Sequence, residues 1–179
     1  MGALSHFNAN PGQAHWKQVH VFKYLAGTKD LSLCYGPGQD GTSLQLYSDA
    51  DYAGDVDSAR SASGHTVFIG KCLVNWSSKQ QPVVAKSTTE AEYIAANEAG
   101  SDGVWFRNFT SELGYPPMGA TPLWLDNQSA IRVGKCSSGR LVEAVNSNQR
   151  HPGWCRLSLM MVRAILRFVA NLDGVDLVL

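Results

Sequence analysis

A chain of 179 residues, 44% of them hydrophobic, is long enough for one ordinary domain with a real core and an extra arm. Its formal net charge of zero, from 15 basic and 15 acidic side chains, argues against a strong nonspecific binder of polyanions. Four separated cysteines, Cys34, Cys72, Cys136 and Cys155, form no C-x-x-C pair, which excludes the usual zinc spacing and fits reduced thiols in an intracellular protein.

In chain order, Trp16, Val19, Phe22 and Leu25 recur at helical spacing and predict a helix over Ala14–Leu25, with Gly27 as its stop. Leu31–Tyr35 alternates like a strand, and Gly36–Gly41 has the composition of a loop. Together these read as an arm, residues 1–40, that is the tail of something larger. Leu44–Tyr47 is a strand leading into Asp49, and Asp51–Ser63 is polar and loop-like. Thr66–Ile69 and Cys72–Trp76 flank Gly70-Lys71, a hairpin signal, so the first three strands of the domain are expected to be antiparallel.

A connector holding Pro82 comes next, and then a helix near Thr89, where Thr89 and Glu92 have capping-box spacing. Ala91, Ile94, Ala95 and Ala99 form a small-residue face suited to a sheet, and Gly100 and Gly103 are expected to bend or break the run before it resumes over Val104–Leu113. Leu123–Leu125 is a fourth strand, and Gln128–Val133 opens another helix. Three strands, helix, strand, helix predict an α/β layered domain with a mixed sheet over residues 41–135. Residues 136–179 change character. Ser137-Ser138-Gly139 is a loop, and Arg156–Asn171 is helix-like. Met1 opens no leader peptide, and Leu157–Val169 is too short and too interrupted by Arg163 and Arg167 to span a bilayer, so no membrane is expected.

Charge is unevenly placed. Tyr47–Asp57 holds four Asp and no base, whereas Ser58–Thr89 holds Arg60, Lys71, Lys79 and Lys86 and no acid, as a metal site beside a phosphate track would. Three acids stand out: Asp49 after the first strand, Glu92 near the start of the long helix, and Asp126 after the fourth strand. Each has an ordinary local use: a turn aspartate with Asp51 as its equal, a capping-box glutamate with Glu90 as its rival, and a helix N-cap. Carboxylates so placed can also converge at one sheet edge. There they cannot all stay charged and buried without a cation, and an all-oxygen donor set suits magnesium or manganese.

The motifs resemble one family. Tyr47-Ser48-Asp49-Ala50-Asp51-Tyr52-Ala53-Gly54-Asp55, Ser61-Ala62-Ser63-Gly64, Trp76-Ser77-Ser78-Lys79-Gln80-Gln81-Pro82, Ser87-Thr88-Thr89-Glu90-Ala91-Glu92-Tyr93 and Asp126-Asn127-Gln128-Ser129-Ala130 are similar to the ribonuclease H domain of copia-type (LTR) retrotransposon polyproteins. The arm, from Asn10-Pro11-Gly12 through Tyr24-Leu25-Ala26-Gly27-Thr28, resembles the end of the reverse transcriptase region. The resemblance covers roughly residues 4 to 135.

It implies a ribonuclease H-like fold and hydrolysis of the RNA strand of RNA–DNA hybrids with two divalent ions, Mg2+ or Mn2+. Asp49, Glu92 and Asp126 are its implied catalytic and metal-binding residues, and Ser77, Ser78, Lys79, Asn127 and Gln128 its implied nucleic-acid contacts. The implied partners are the hybrid and the rest of the polyprotein, in a cytoplasmic virus-like particle or the nucleus. The family continues after Lys135 with a His-rich segment, a fifth strand and a last helix bearing a fourth catalytic aspartate; none of these is legible in Cys136–Leu179. The alternatives are a non-catalytic hybrid-binding remnant and an integrase-type enzyme. The order of the acids disfavours the latter.

Overall fold

The computed structural model describes residues 12–13, 20–32, 35, 43–55, 57–137 and 142–146. Its elements are α1 (His20–Gly27), β1 (Leu44–Asp51), β2 (Ala62–Ile69), β3 (Cys72–Gln80), α2 (Thr88–Glu112), β4 (Thr121–Leu125), α3 (Gln128–Ser137) and β5 (Val142–Asn146). The strands form one sheet in the order β3-β2-β1-β4-β5. β1 and β2, and β2 and β3, are antiparallel; β4 is parallel to both β1 and β5. This is the mixed α/β sheet expected of a ribonuclease H-like domain.

Strand alternation sorts the apolar side chains into two clusters. Leu44 and Leu46 of β1 join Val67, Leu123, Leu125, Ile131 and Ala144 under Ala99 of α2, with Ile69, Val74, Ala96 and Phe106 packed around them. Tyr47 and Trp124 form a second cluster with Ala62, Phe68 and Val145. The Tyr47 and Trp124 rings are stacked at 6.4 Å, and Phe68 meets Tyr47 edge-on at 5.6 Å. β2 turns into β3 at Gly70-Lys71, with Ile69 paired to Cys72. Gly70 has φ 61°, a left-handed conformation that glycine adopts without a Cβ clash.

Several expectations are corrected. β1 continues through Asp51, so Asp49 lies within the strand rather than after it. α2 is one helix of 25 residues, unbroken at Gly100 and Gly103. Its inward face is Ala91, Ala95, Ala99 and Gly103, all buried and four apart, which lets the backbone approach the sheet. At Gly103 a Cβ would run into Leu46 Cδ1, so the glycine serves close packing, not bending.

The helix cap is also displaced. Ser87 is the N-cap; its Oγ accepts from the Glu90 amide, and Glu90 in turn accepts from the Lys86 amide at 2.7 Å. The capping pair is therefore Ser87 and Glu90, not Thr89 and Glu92. Leu31, Ser32 and Tyr35 are not in a strand, and Ser137 closes α3 rather than opening a loop. Residues 142–146 add a fifth strand to a stretch where none was legible. A strand of five residues is weakly specified by its own sequence; here β4 supplies the hydrogen-bonding template.

Cys72 is half-buried. The side chains of Cys34, Cys136 and Cys155, the helix-like Arg156–Asn171 and most of the predicted helix before His20 lie outside the described residues. Among the described residues no helix is long and apolar enough to cross a membrane.

Candidate metal centre

Three different elements supply the acids. Asp49 is in the central strand, where β2 flanks one side and β4 the other. β1 and β4 are in parallel register at Tyr47 and Trp124, so Asp49 and Asp126, each two residues further on, are carried to the same end of adjacent strands. Glu92 lies in the second turn of α2. One carboxylate oxygen from each of Asp49, Glu92 and Asp126 lies within 4.8 Å of the other two. Asp49 and Glu92 are both buried, and Asp126 is half-buried at the rim. Asp49 Oδ1 accepts from the Ala50 amide at 3.1 Å.

Two neighbours carry out the local tasks that had competed for these acids. Glu90 is exposed and does the capping, while Glu92 turns inward. At the other helix Asn127 Oδ1 accepts from the amides of Ser129 and Ala130, at 2.9 and 3.0 Å, so the N-cap is Asn127, not Asp126. Asp51 lies at the end of β1 and is not among the three.

Three carboxylates this close repel one another, and burial raises the cost of their charge; a cation between them removes both penalties. The donors are hard oxygens alone, with no sulfur or imidazole, which suits a hard divalent ion rather than zinc or copper. The residues present therefore fit divalent-metal use.

The expected nucleic-acid contacts fall in two places, Ser77, Ser78 and Lys79 apart from the acids and Asn127 and Gln128 directly after Asp126. Ser77, Ser78 and Lys79 lie on the edge strand β3; Asp49 pairs with Gly64 and Gly64 with Ser78, which puts Ser78 two strands away, roughly 10 Å. Lys79 is exposed. Asn127 spends its side-chain oxygen on the cap, and Gln128, exposed, opens α3 beside Asp126.

One positioning residue escaped the sequence reading. Gln81 is almost wholly buried, and its Nε2 donates to Ser63 Oγ and to the Ala91 carbonyl, both at 2.9 Å. It ties the start of α2, one residue before Glu92, to β2. Its signal in the text is its place in the Trp76–Pro82 motif, directly before Pro82.

No family model matches the chain. It is 43% identical over 138 residues, 76% of its length, to a retrovirus-related Pol polyprotein from transposon TNT 1-94 of Nicotiana tabacum. A secreted RxLR effector protein of Plasmopara viticola is 43% identical over 107 residues, 59% of this chain and 74% of the effector. Among solved structures, LC11-RNase H1 in complex with an RNA/DNA hybrid overlaps 73% of this chain and 78% of its own, at 14% identity and a TM-score of 0.39. The chain spans about a tenth of the length of the Pol polyproteins it matches.

Proposed function

Because the chain belongs to the retrovirus-related Pol polyproteins of copia-type transposons, in their ribonuclease H-like domain, we propose that it hydrolyses the RNA strand of RNA–DNA hybrids with divalent metal held by Asp49, Glu92 and Asp126. The observation that carries this is the meeting of three carboxylates from three separate elements, two of them buried. Simple capping or solvation would not bring them together.

Asp49, Glu92 and Asp126 would hold two ions, magnesium or manganese, by their carboxylate oxygens. The metal supplies Lewis acidity, favouring hydroxide as nucleophile and offsetting charge on the scissile phosphate and the departing 3′ oxygen. The chain's own residues do the rest. Asp49 and Glu92 are withdrawn from bulk water, so their charge is directed at the ion rather than screened. Half-buried Asp126 leaves the rim open for a phosphodiester. Lys79, with Ser77 and Ser78, offers a cation and hydroxyls to the nucleic-acid backbone along β3, and Asn127 and Gln128 flank the rim. Choice of a hybrid would rest on groove shape and ribose 2′-hydroxyls rather than base sequence. The partner in this reading is the reverse transcriptase of the same polyprotein, whose product is such a hybrid.

The test is cleavage of a hybrid labelled in its RNA strand, in Mg2+ or Mn2+, by the full chain and by Asp49→Asn, Glu92→Gln and Glu90→Gln. The first two variants should lose at least about 100-fold in rate, and Glu90→Gln, which touches only the cap, should stay within about 3-fold. A second readout needs no turnover. In chelator Asp49→Asn should melt a few degrees above the parent, because a repulsion is removed. Added metal should raise the melting temperature of the parent and of Glu90→Gln but not that of Asp49→Asn. Equal cleavage by all four proteins would overturn the site. Hybrid binding with no cleavage by the parent would favour a non-catalytic remnant, in keeping with a sequence after Lys135 that shows no fourth carboxylate motif.

A further inference from the structure

The face that α2 lays on the sheet is smooth. Ala91, Ala95, Ala99 and Gly103 offer no large side chain to interlock with the strands. Such a face lets the helix lie close, but it does not fix how far the helix is rolled about its own axis. Roll matters to Glu92. A side-chain end roughly 6 Å from the axis moves about 2 Å for a roll of about 20°. The three carboxylates lie within 4.8 Å of one another, and a metal site tolerates errors of only about 0.2 Å in its ligand distances.

A polar tie on the opposite flank of that face can fix the roll. Asp102, ten residues after Glu92, accepts at Oδ2 from His65 Nε2 of β2 at 2.9 Å and from Asn75 Nδ2 of β3 at 2.8 Å. At about 100° per residue, Asp102 and Glu92 stand about 80° apart around the axis, with Ala95 and Ala99 between them. Glu92 reaches β1, whereas Asp102 reaches β2 and β3. The helix is unbroken from one to the other, so a hold on Asp102 sets the direction of Glu92.

His65 has little other use. It is 3% exposed, and its Nδ1 has no hydrogen-bond partner among the described residues, so the ring's bond to Asp102 is its one polar anchor there. A buried ring with half its hydrogen-bonding capacity unmet is a costly core residue, and what such a group contributes in return is a single geometry. The Asp102 side chain, 41% exposed, keeps contact with water, so the tie does not bury a carboxylate outright. The grip is also well placed. His65 pairs with Ser48, and its neighbour Gly64 pairs with Asp49, so α2 is held against the stretch of β2 that flanks Asp49. Gln81 makes a second tie in the first turn, at the Ala91 carbonyl.

We propose that His65, Asp102 and Asn75 are positioning residues for the metal centre: their hydrogen bonds set the roll of α2 and so hold the Glu92 carboxylate against Asp49 and Asp126. The inference rests on reading those three acids as a metal centre. None of the positioning residues touches the ion or the nucleic acid in this role.

The experiment is a double-mutant cycle in the full chain, in chelator, between Asp102→Ala and Asp49→Asn. In the parent, Asp49→Asn removes a repulsion and should raise the melting temperature by a few degrees. With Asp102→Ala, which frees Glu92 to move away, that gain should fall by at least about half, and His65→Ala should act alike. Asp102→Asn keeps an oxygen for both donors and should retain the gain. Ile69→Ala, which weakens the main cluster at the hairpin end of β2, should lower the melting temperature and leave the gain whole. Titration with Mn2+ is the second readout: affinity should fall about 10-fold in Asp102→Ala and recover in Asp102→Asn. Should His65→Ala not fold, Asp102→Ala, at a half-exposed helix position, carries the test alone. A gain of equal size in every background would overturn the proposal, however much Asp102→Ala destabilises. So would no gain in the parent, or no recovery in Asp102→Asn. A parent that shows this pattern but does not cleave would sink hybrid hydrolysis and leave the positioning role standing; a cleaving parent without the pattern would do the reverse.

Discussion

Asp55 shows what a single carboxylate does when its partners are all local. The Ser58 hydroxyl, the Asp57 amide and the Gln80 side chain all donate to it, and these bonds, Ser58's foremost, hold its carboxyl below the ordinary value of 3.8. A depressed folded value means that the contribution is present above the unfolded pKa and is lost as pH falls through the folded one. The Asp57 and Ala59 amide bonds to Asp55 should therefore open as pH drops below about 3.8, seen as smaller amide protection factors, measured against the intrinsic rate at each pH, and Asp55→Asn should remove that pH step. Protection factors that do not change with pH in the parent would refute this. Asp49, Glu92 and Asp126 differ in kind, because their common partner is one another. The text put Asp49 beside Asp51 and Glu92 beside Glu90, rivals with the same local chemistry, and offered Asp126 as a helix N-cap. Sequence spacing could not choose, since a cap and a metal ligand both call for a carboxylate or amide near a helix start. Burial chose: Glu90 and Asn127 satisfy backbone amides, and Glu92 and Asp126 meet Asp49.

Among elements, α2 is the clearest case of tertiary context overriding local propensity. Two glycines in four residues read as a break, each costing roughly 1 kcal/mol relative to alanine in a helix. The helix is continuous because its Ala91–Ala95–Ala99–Gly103 face is pressed onto the sheet, and burial there outweighs that cost. The two glycines then behave oppositely. Gly103→Ala sets a Cβ against Leu46 Cδ1 and should destabilise by about 1–3 kcal/mol. Gly100→Ala meets nothing within 4 Å and should stabilise by up to about 1 kcal/mol. Urea unfolding of both variants decides the matter, and a shift of the same sign in both would contradict this packing. The strands were more legible than the caps, because alternation reports burial directly: Leu44, Leu46 and Leu123 fall on the core side as the text implies. The β2–β3 hairpin was legible for the same reason, with Gly70 marking its turn.

On the scale of the whole molecule, the fifth strand matters most for what the text left open. β5 pairs with β4 over five residues and buries Ala144 in the main cluster, covering an edge that would otherwise present unpaired backbone groups. Chains ended after Ser137 should melt roughly 5 °C or more below chains ended after Asn146, and should aggregate more readily. Equal melting would show that β5 adds nothing to the sheet. The one-dimensional text was sufficient for the α/β class and the antiparallel first three strands, because alternation, helical spacing and turn residues are local quantities. It was insufficient for the meeting of Asp49, Glu92 and Asp126, the continuity of α2 and the presence of β5. Each of those depends on a register between segments far apart in the chain. Such a register is set by which side chains share one buried layer, a property that no local stretch contains.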